Sequence, residues 1–359
     1  MKVLMISTDP NIVKVGEASR ARMLAYGALV EKLKIIILAG KYQKEKFILS
    51  PKVEAKSCGP AKKILSLARA LWWGRKIETD LVTCQDPFFA GVIGVFLKLL
   101  LKTKLEIQIH TDLFSAEFVA FSRLNKIKSF LAKYVLAQAD GIRVVSERLR
   151  DDLIRSGIKL RSEPVVLPIF IDLEKLKITE PGFDLHQRYP SYKKIILMVS
   201  RLAPEKNFPL ALQVFAEVVA EYPSCGLVIV GEGPERKSIS LLAGRLGVAD
   251  RVVFEGWKTD LASYYKTADV FLQTSRFEGY GLSLVEAISC GLPVVSTPVG
   301  IMNKNLGHVG LSSNELSRGV LNLITSPGKN IKIDKILKFK NFESYAKAIV
   351  LAWSNIKQS

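Results

Sequence analysis

Short apolar runs alternate with longer stretches of helical spacing along most of the chain. "KVLMIST" (2–8) and "LKIIILAG" (33–40) read as buried strands on either side of a helical pattern from about 18 to 31. "DLVTC" (80–84), "LEIQIH" (105–110) and "GIRVVS" (141–146) each precede a helical stretch: one opens near Pro87, one runs to about Gln138, and one covers 147–156. Strands separated by helices predict a parallel sheet covered on both faces. Residues 174–192, "EKLKITEPGFDLHQRYPSY", break the rhythm with two prolines, a glycine and no long apolar run, so they read as a linker. A second series follows. Strands are expected at 194–200, 226–231, 251–256, 269–274 and 293–297, with helices at 207–221, 235–246, 260–267 and 281–290. This is a second doubly wound unit. Residues 301–333 are weakly patterned, whereas 341–357 form an amphipathic helix with Phe342, Tyr345, Ile349 and Trp353 near one face.

Composition agrees with two packed cores: 359 residues, 48% hydrophobic and 24% charged. The strongest membrane-span candidate, 88–101, is only about 14 residues long and contains Lys98, so it reads as a buried helix. Met1 leads directly into a strand-like run with no secretory pattern, and four scattered cysteines fit a reducing compartment. With three histidines they form no metal motif. The net charge is +18, and residues 1–190 hold 32 basic against 20 acidic residues. Such a surface attracts anionic partners without choosing among them. No interleaved basic and aromatic motif points to nucleic acid.

Three polar clusters follow strands of the second series. "SRLAPEKN" (200–207) puts Arg201 and Lys206 on a loop before a helix that Asn207 is expected to cap, a seat suited to a diphosphate. "GEGPE" (231–235) allows a tight turn. It is not G-x-G-x-x-G, and none follows the first strand, which argues against a nicotinamide-dependent reductase. In "SRFEGYGLSLVEAISCGLPVVST" (275–297), Glu278 precedes Gly279, Tyr280, Gly281 and Leu282, and Glu286 follows on a helix. Backbone amides at a helix start suit anions, and carboxylates suit hydroxyl-rich ligands. In the first series, Gly16 lies in the loop after strand one, and His110 ends a strand with Asp112 nearby as a candidate to orient it.

These residues resemble the retaining two-domain glycosyltransferases of family 4, with the GT-B fold. The hallmark E-x7-E is Glu278 and Glu286, the basic pair is Arg201 and Lys206, and "VIVGEGPE" (228–235), Gly16 and "IHTD" with His110 also match. The resemblance implies an α/β architecture of two doubly wound Rossmann-like domains facing across a cleft. An acceptor-side domain would span 1–175, a nucleotide-sugar domain 193–340, and the 341–359 helix would return to the first domain. By the same resemblance, Glu286 binds the ribose, Glu278 the donor sugar, and Arg201 and Lys206 the diphosphate. Gly16, Gly279, Tyr280, Gly281 and Leu282 touch the diphosphate or sugar, and His110 lies near donor sugar and acceptor. No metal and no cofactor are implied; the donor is a nucleotide sugar. The sequence departs from the family at "LPIFID" (167–172), where Ile169 and Phe170 stand in place of Asn and Gly. Gly16 lacks a neighbouring glycine, and the motif after Gly300 is missing.

The expected function is transfer to a glycan or lipid-linked acceptor in glycan or cell-envelope biosynthesis. Two other readings stay open: a sugar-nucleotide epimerase of the same fold, and a non-catalytic basic membrane-binding protein. The expected location is cytoplasmic, peripheral on the inner face of an anionic membrane. Segment 60–76, "PAKKILSLARALWWGRK", carries this expectation, combining an apolar helical face with Trp72, Trp73, Lys62, Lys63, Arg69, Arg75 and Lys76.

Overall fold

The computed structural model describes residues 1–38, 46–59, 63–326, 338–339 and 341–358, with backbone alone at 63 and 64. The chain forms two compact units: Met1–Phe170 with Lys338–Ser359, and Ile171–Leu337.

The first unit runs β1 (Lys2–Ser7), α1 (Ala18–Leu29), β2 (Lys32–Ile37), β3 (Lys46–Ser50), β4 (Val53–Ser57), α2 (Lys63–Gly74), β5 (Leu81–Cys84), α3 (Phe89–Leu101), β6 (Lys104–Ile109), α4 (Ala116–Phe121), α5 (Arg123–Gln138), β7 (Gly141–Val144), α6 (Glu147–Arg155) and β8 (Val165–Val166). Its sheet has the order β3-β4-β2-β1-β5-β6-β7-β8. Every pairing is parallel except β3 with β4. The inner strands are buried on both faces, which is why they read as unbroken apolar runs. The stretch expected as one helix to Gln138 is two helices. Ser122 separates them, because its hydroxyl accepts from Asn125 N and caps α5.

The second unit runs α7 (Leu173–Ile178), α8 (Leu185–Arg188), β9 (Lys194–Val199), α9 (Phe208–Glu221), β10 (Cys225–Val230), α10 (Arg236–Arg245), β11 (Val252–Gly256), α11 (Ala262–Thr267), β12 (Val270–Gln273), α12 (Leu282–Ser289), β13 (Val294–Ser296), β14 (His308–Val309) and α13 (Ser313–Thr325). Its sheet is parallel throughout, in the order β11-β10-β9-β12-β13-β14. The segment 174–192 carries α7 and α8, each opened by an aspartate cap, Asp172 and Asp184. The weakly patterned 301–326 region contains α13, which starts with a capping box between Ser312 and Glu315.

The last helix, α14 (Phe342–Gln358), belongs to the first unit. Tyr345, Ala346, Ile349 and Trp353 are buried there in one core with Val3, Met5, Tyr26 and Ile35. A polar network lies beneath them. Trp353 Nε1 donates to Glu106 Oε2 (2.8 Å), Thr83 donates to the same carboxylate, and Arg143 Nη2 donates to Tyr345 Oη (3.0 Å).

Candidate functional site

In an open parallel sheet, a crevice forms outside the carboxyl ends of the strands where the strand order reverses. In the second unit the chain goes from β9 outward to β10 and β11, then crosses to β12 on the other side of β9. The reversal therefore lies between β9 and β12. The loops leaving these two strands, 200–207 and 274–281, carry the candidate residues.

The two loops are tied together. Thr274 Oγ1 donates to the carbonyls of Lys206 (3.0 Å) and Asn207 (3.2 Å), and Arg276 N donates to Glu205 O (2.9 Å). Lys206 Nζ pairs with Glu278 Oε1, which also accepts from Ser275 Oγ at 2.9 Å. Both members of the pair are largely buried, with side chains 19% and 17% exposed, so the ammonium is held in place rather than trailing in water. Arg201, on the same loop, is 70% exposed and pairs with Glu205. Asn207 does not cap α9 with its side chain. It occupies the N-cap position at φ 54°, in the left-handed region, whereas a capping residue is extended. The "GEGPE" turn supports the loop from below. A Cβ on Gly231 would stand 2.0 Å from Ser200 O, and one on Gly233 would stand 2.3 Å from Leu202 O.

Gly279, Tyr280, Gly281 and Leu282 lead into α12, with Gly281 at its N-cap at φ 87°. Tyr280 is buried, and burial pushes its hydroxyl up to about 12. Gly300 (φ 59°) passes so close that a Cβ would lie 2.3 Å from Tyr280 O, and Ile301 N donates to that carbonyl at 3.0 Å. Glu286, on α12, accepts from Tyr265 Oη at 2.8 Å. Burial raises its pKa, and the tyrosine bond opposes the rise. Glu286 lines a cavity of about 510 Å³ with Asp172, Lys175, Thr259, Asp260 and Leu261.

Gly16 and His110 belong to the first unit. The strand order there reverses between β1 and β5, and Gly16 (φ 85°) lies in the loop that leaves β1, with nothing within 4 Å of the position a Cβ would take. His110 directly follows β6. Its Nε2 lies 3.3 Å from Gln108 Oε1. Desolvation, then the charges of Arg143 and Arg22, push its pKa down to about 3, so the ring is neutral at ordinary pH. Asp112 is not placed as its orienter. That carboxylate is buried, faces Arg148 Nη2 at 3.5 Å, and is raised to about 6, mainly by burial.

Reading the sequence missed Thr274, Tyr265 and Gly300. Thr274 directly follows β12 and Gly300 comes shortly after β13, which is a usable signal. Tyr265 meets Glu286 across 21 residues, and nothing local announces that contact.

Residues 185–310 match the family model described as Glycosyl transferases group 1. Among relatives, the chain is 29% identical over 280 residues to alpha-monoglucosyldiacylglycerol synthase of Streptococcus pneumoniae, covering 73% of this chain and 63% of that one. The chain thus spans less than two thirds of that relative's length. Among solved structures, Anabaena HepE in complex with UDP-glucose superimposes with a TM-score of 0.70 at 21% identity, over 100% of this chain and 98% of that one. Sucrose-phosphate synthase from Thermosynechococcus elongatus gives 0.72 at 19% identity, over 99% and 96%. These structures share the fold of two α/β units. Residues 185–310 are thus similar to glycosyl transferases group 1, and the chain as a whole has the GT-B fold of these structures.

Proposed function

We propose that this chain is a retaining glycosyltransferase. Its second unit takes the nucleotide-sugar donor, and the sugar passes to a glycan or lipid-linked acceptor at the cytoplasmic face of an anionic membrane. The observation that carries the reading is the buried Lys206–Glu278 pair spanning the β9/β12 reversal. An ammonium has three N–H donors, so Lys206 can keep Glu278 and still meet a diphosphate. Arg201 adds a second cation from the same loop, and Glu286 offers an acceptor to the ribose hydroxyls. When the bond from the anomeric carbon to the phosphate oxygen breaks, negative charge grows on the leaving diphosphate, where fixed cations stabilise it most. In the retaining route the acceptor hydroxyl enters on the face being vacated, its oxygen bonds to the anomeric carbon, and its proton passes to the departing phosphate. Neutral His110 would contact sugar or acceptor without adding charge.

Two relatives suggest where to start: one is named as a synthase of a glucosylated diacylglycerol, the other was solved with UDP-glucose. A screen of nucleotide sugars with diacylglycerol-based and glycan acceptors, read by product mass, tests the donor and acceptor. Transfer is expected to persist in excess EDTA, and NMR of the product is expected to show the donor's anomeric configuration. An inverted product would sink the retaining assignment. Activity restored only by a divalent ion would show that Arg201 and Lys206 do not suffice.

A further inference from the structure

The outer side of the first unit is apolar in an unusual place. On α5 the buried positions include Asn125, Ser129 and Ala132, while Leu124, Ile127, Phe130 and Tyr134 are exposed, Phe130 by 75%. Those four recur at spacings of three, three and four, one stripe of a helix. A helix that only covers a sheet turns its large apolar residues inward; α5 turns four of them outward. Its neighbour α3 exposes Phe96, Leu99 and Leu100, and α2, which packs on α3, exposes Leu65 and Trp72. Isolated exposed apolar residues are ordinary, but a set on three adjacent helices marks a contact surface.

Charge identifies what it contacts. The sequences of α2, α3 and α5 contain no aspartate or glutamate. Arg123, Lys126 and Lys133 are exposed between the apolar residues of α5. Arg75 and Lys76 follow α2, and Lys102 follows α3, all exposed, with Lys76 Nζ 3.7 Å over the Trp72 ring. Apolar side chains amid cations, with no acid on the three helices and with the flanking Glu78 and Asp140 paired to Lys2 and Lys98, complement phosphate headgroups above acyl chains. A second copy of this face would bring like charges together.

We propose that the α2–α3–α5 face docks on an anionic lipid bilayer, with Phe130, Leu99 and Leu100 entering the headgroup region and Lys126 and Lys133 meeting the phosphates. The proposal rests on the membrane part of the reading above and gives that contact a surface. It moves the centre of contact from segment 60–76 to α3 and α5. Lys62 and the side chains of Lys63 and Ile64 lie outside the described residues, and Trp73 is half-buried beneath Lys56 Nζ at 3.9 Å.

The test is co-sedimentation of the full chain with phosphatidylglycerol or phosphatidylcholine vesicles, at low and high salt. Wild type is expected to bind phosphatidylglycerol and to weaken as salt rises, because screening shortens from about 10 Å at 0.1 M to about 3 Å at 1 M. Leu99→Ser with Phe130→Ser, and separately Lys126→Glu with Lys133→Glu, are each expected to lower the partition coefficient about tenfold or more. Unchanged circular dichroism and an unchanged urea unfolding midpoint would show that both variants fold. Full vesicle binding by both folded variants would overturn the face while leaving the membrane reading intact. A wild-type chain that ignores phosphatidylglycerol vesicles would overturn both. A wild-type dimer that the first variant breaks, without vesicle binding, would replace the bilayer with a second copy.

Discussion

Lys206 and Glu278 depend on each other, because each is largely buried and each neutralises the other. Lys206→Ala removes the cation expected to meet the leaving diphosphate and strands a carboxylate in its place. The turnover number should fall about 100-fold, equivalent to ~3 kcal/mol, in initial-rate assays at saturating donor. A folded variant with wild-type turnover would remove Lys206 from the chemistry. Glu286 makes a different prediction, in binding and in pH. Burial raises its pKa and the Tyr265 hydroxyl holds it down. If the ionised carboxylate accepts from the ribose, affinity for the nucleoside diphosphate is full above the raised pKa and declines as pH falls through it. Tyr265→Phe removes the opposing bond, so the decline should begin at a higher pH. Calorimetry across pH checks this, and a decline that stays put or moves lower would separate Tyr265 from the site. The residue types at 201, 206, 278 and 286 are legible from the sequence. Their pairings are not, since Lys206 meets Glu278 across 72 residues and Tyr265 meets Glu286 only through the fold.

Strand-to-helix turns carry the site, and close backbone approach shapes them. Gly231 (φ 133°) lets β10's exit pass under the carbonyl of Ser200, where a Cβ would stand 2.0 Å away. Gly231→Ala should therefore destabilise the second unit by about 1–3 kcal/mol and displace the Arg201 loop. Gly244, inside α10, has nothing within 4 Å of the position a Cβ would take, so Gly244→Ala should instead stabilise by about 0.5–1 kcal/mol. Urea unfolding of the two variants separates close approach from helix propensity; equal effects would contradict the geometry. The same contrast explains what sequence shows at this scale. Buried parallel strands such as β9 and β10 announce themselves as apolar runs. In the β3–β4 hairpin, at an edge of its sheet, β3 has only three apolar residues in a row and β4 alternates polar and apolar ones, and α7 and α8 are helices of six and four residues opened by aspartate caps, so neither pair stands out by periodicity.

Across the whole molecule the first unit is discontinuous: α14 completes a core begun more than 300 residues earlier, at Val3 and Met5. The apolar stripe of α14 is plain from its spacing, but a stripe says only that a helix packs, not against which sheet. The partner is specified by buried polar groups. Glu106 lies in the middle of the first sheet with its pKa raised by burial, and Thr83, Arg143, Trp353 and Gln108 all work to keep it down. Trp353→Phe keeps an aromatic ring in the core but withdraws the Nε1 donor. An unsatisfied buried acceptor costs about 1–3 kcal/mol, which the first unit alone should lose. The loss should also depend on pH. A carboxyl whose folded pKa exceeds its unfolded value of about 4.3 favours the fold below that value, and the benefit disappears as pH rises through the folded pKa. Removing a donor to the ionised form raises the folded pKa further, so the mutant's deficit relative to wild type should grow as pH rises above the unfolded value of about 4.3. Urea unfolding at several pH values, followed by circular dichroism, measures that deficit. A deficit that is constant, or larger in acid, would mean that Trp353 holds α14 by its apolar surface alone and that the hydrogen bond to Glu106 contributes nothing to joining the two ends of the chain.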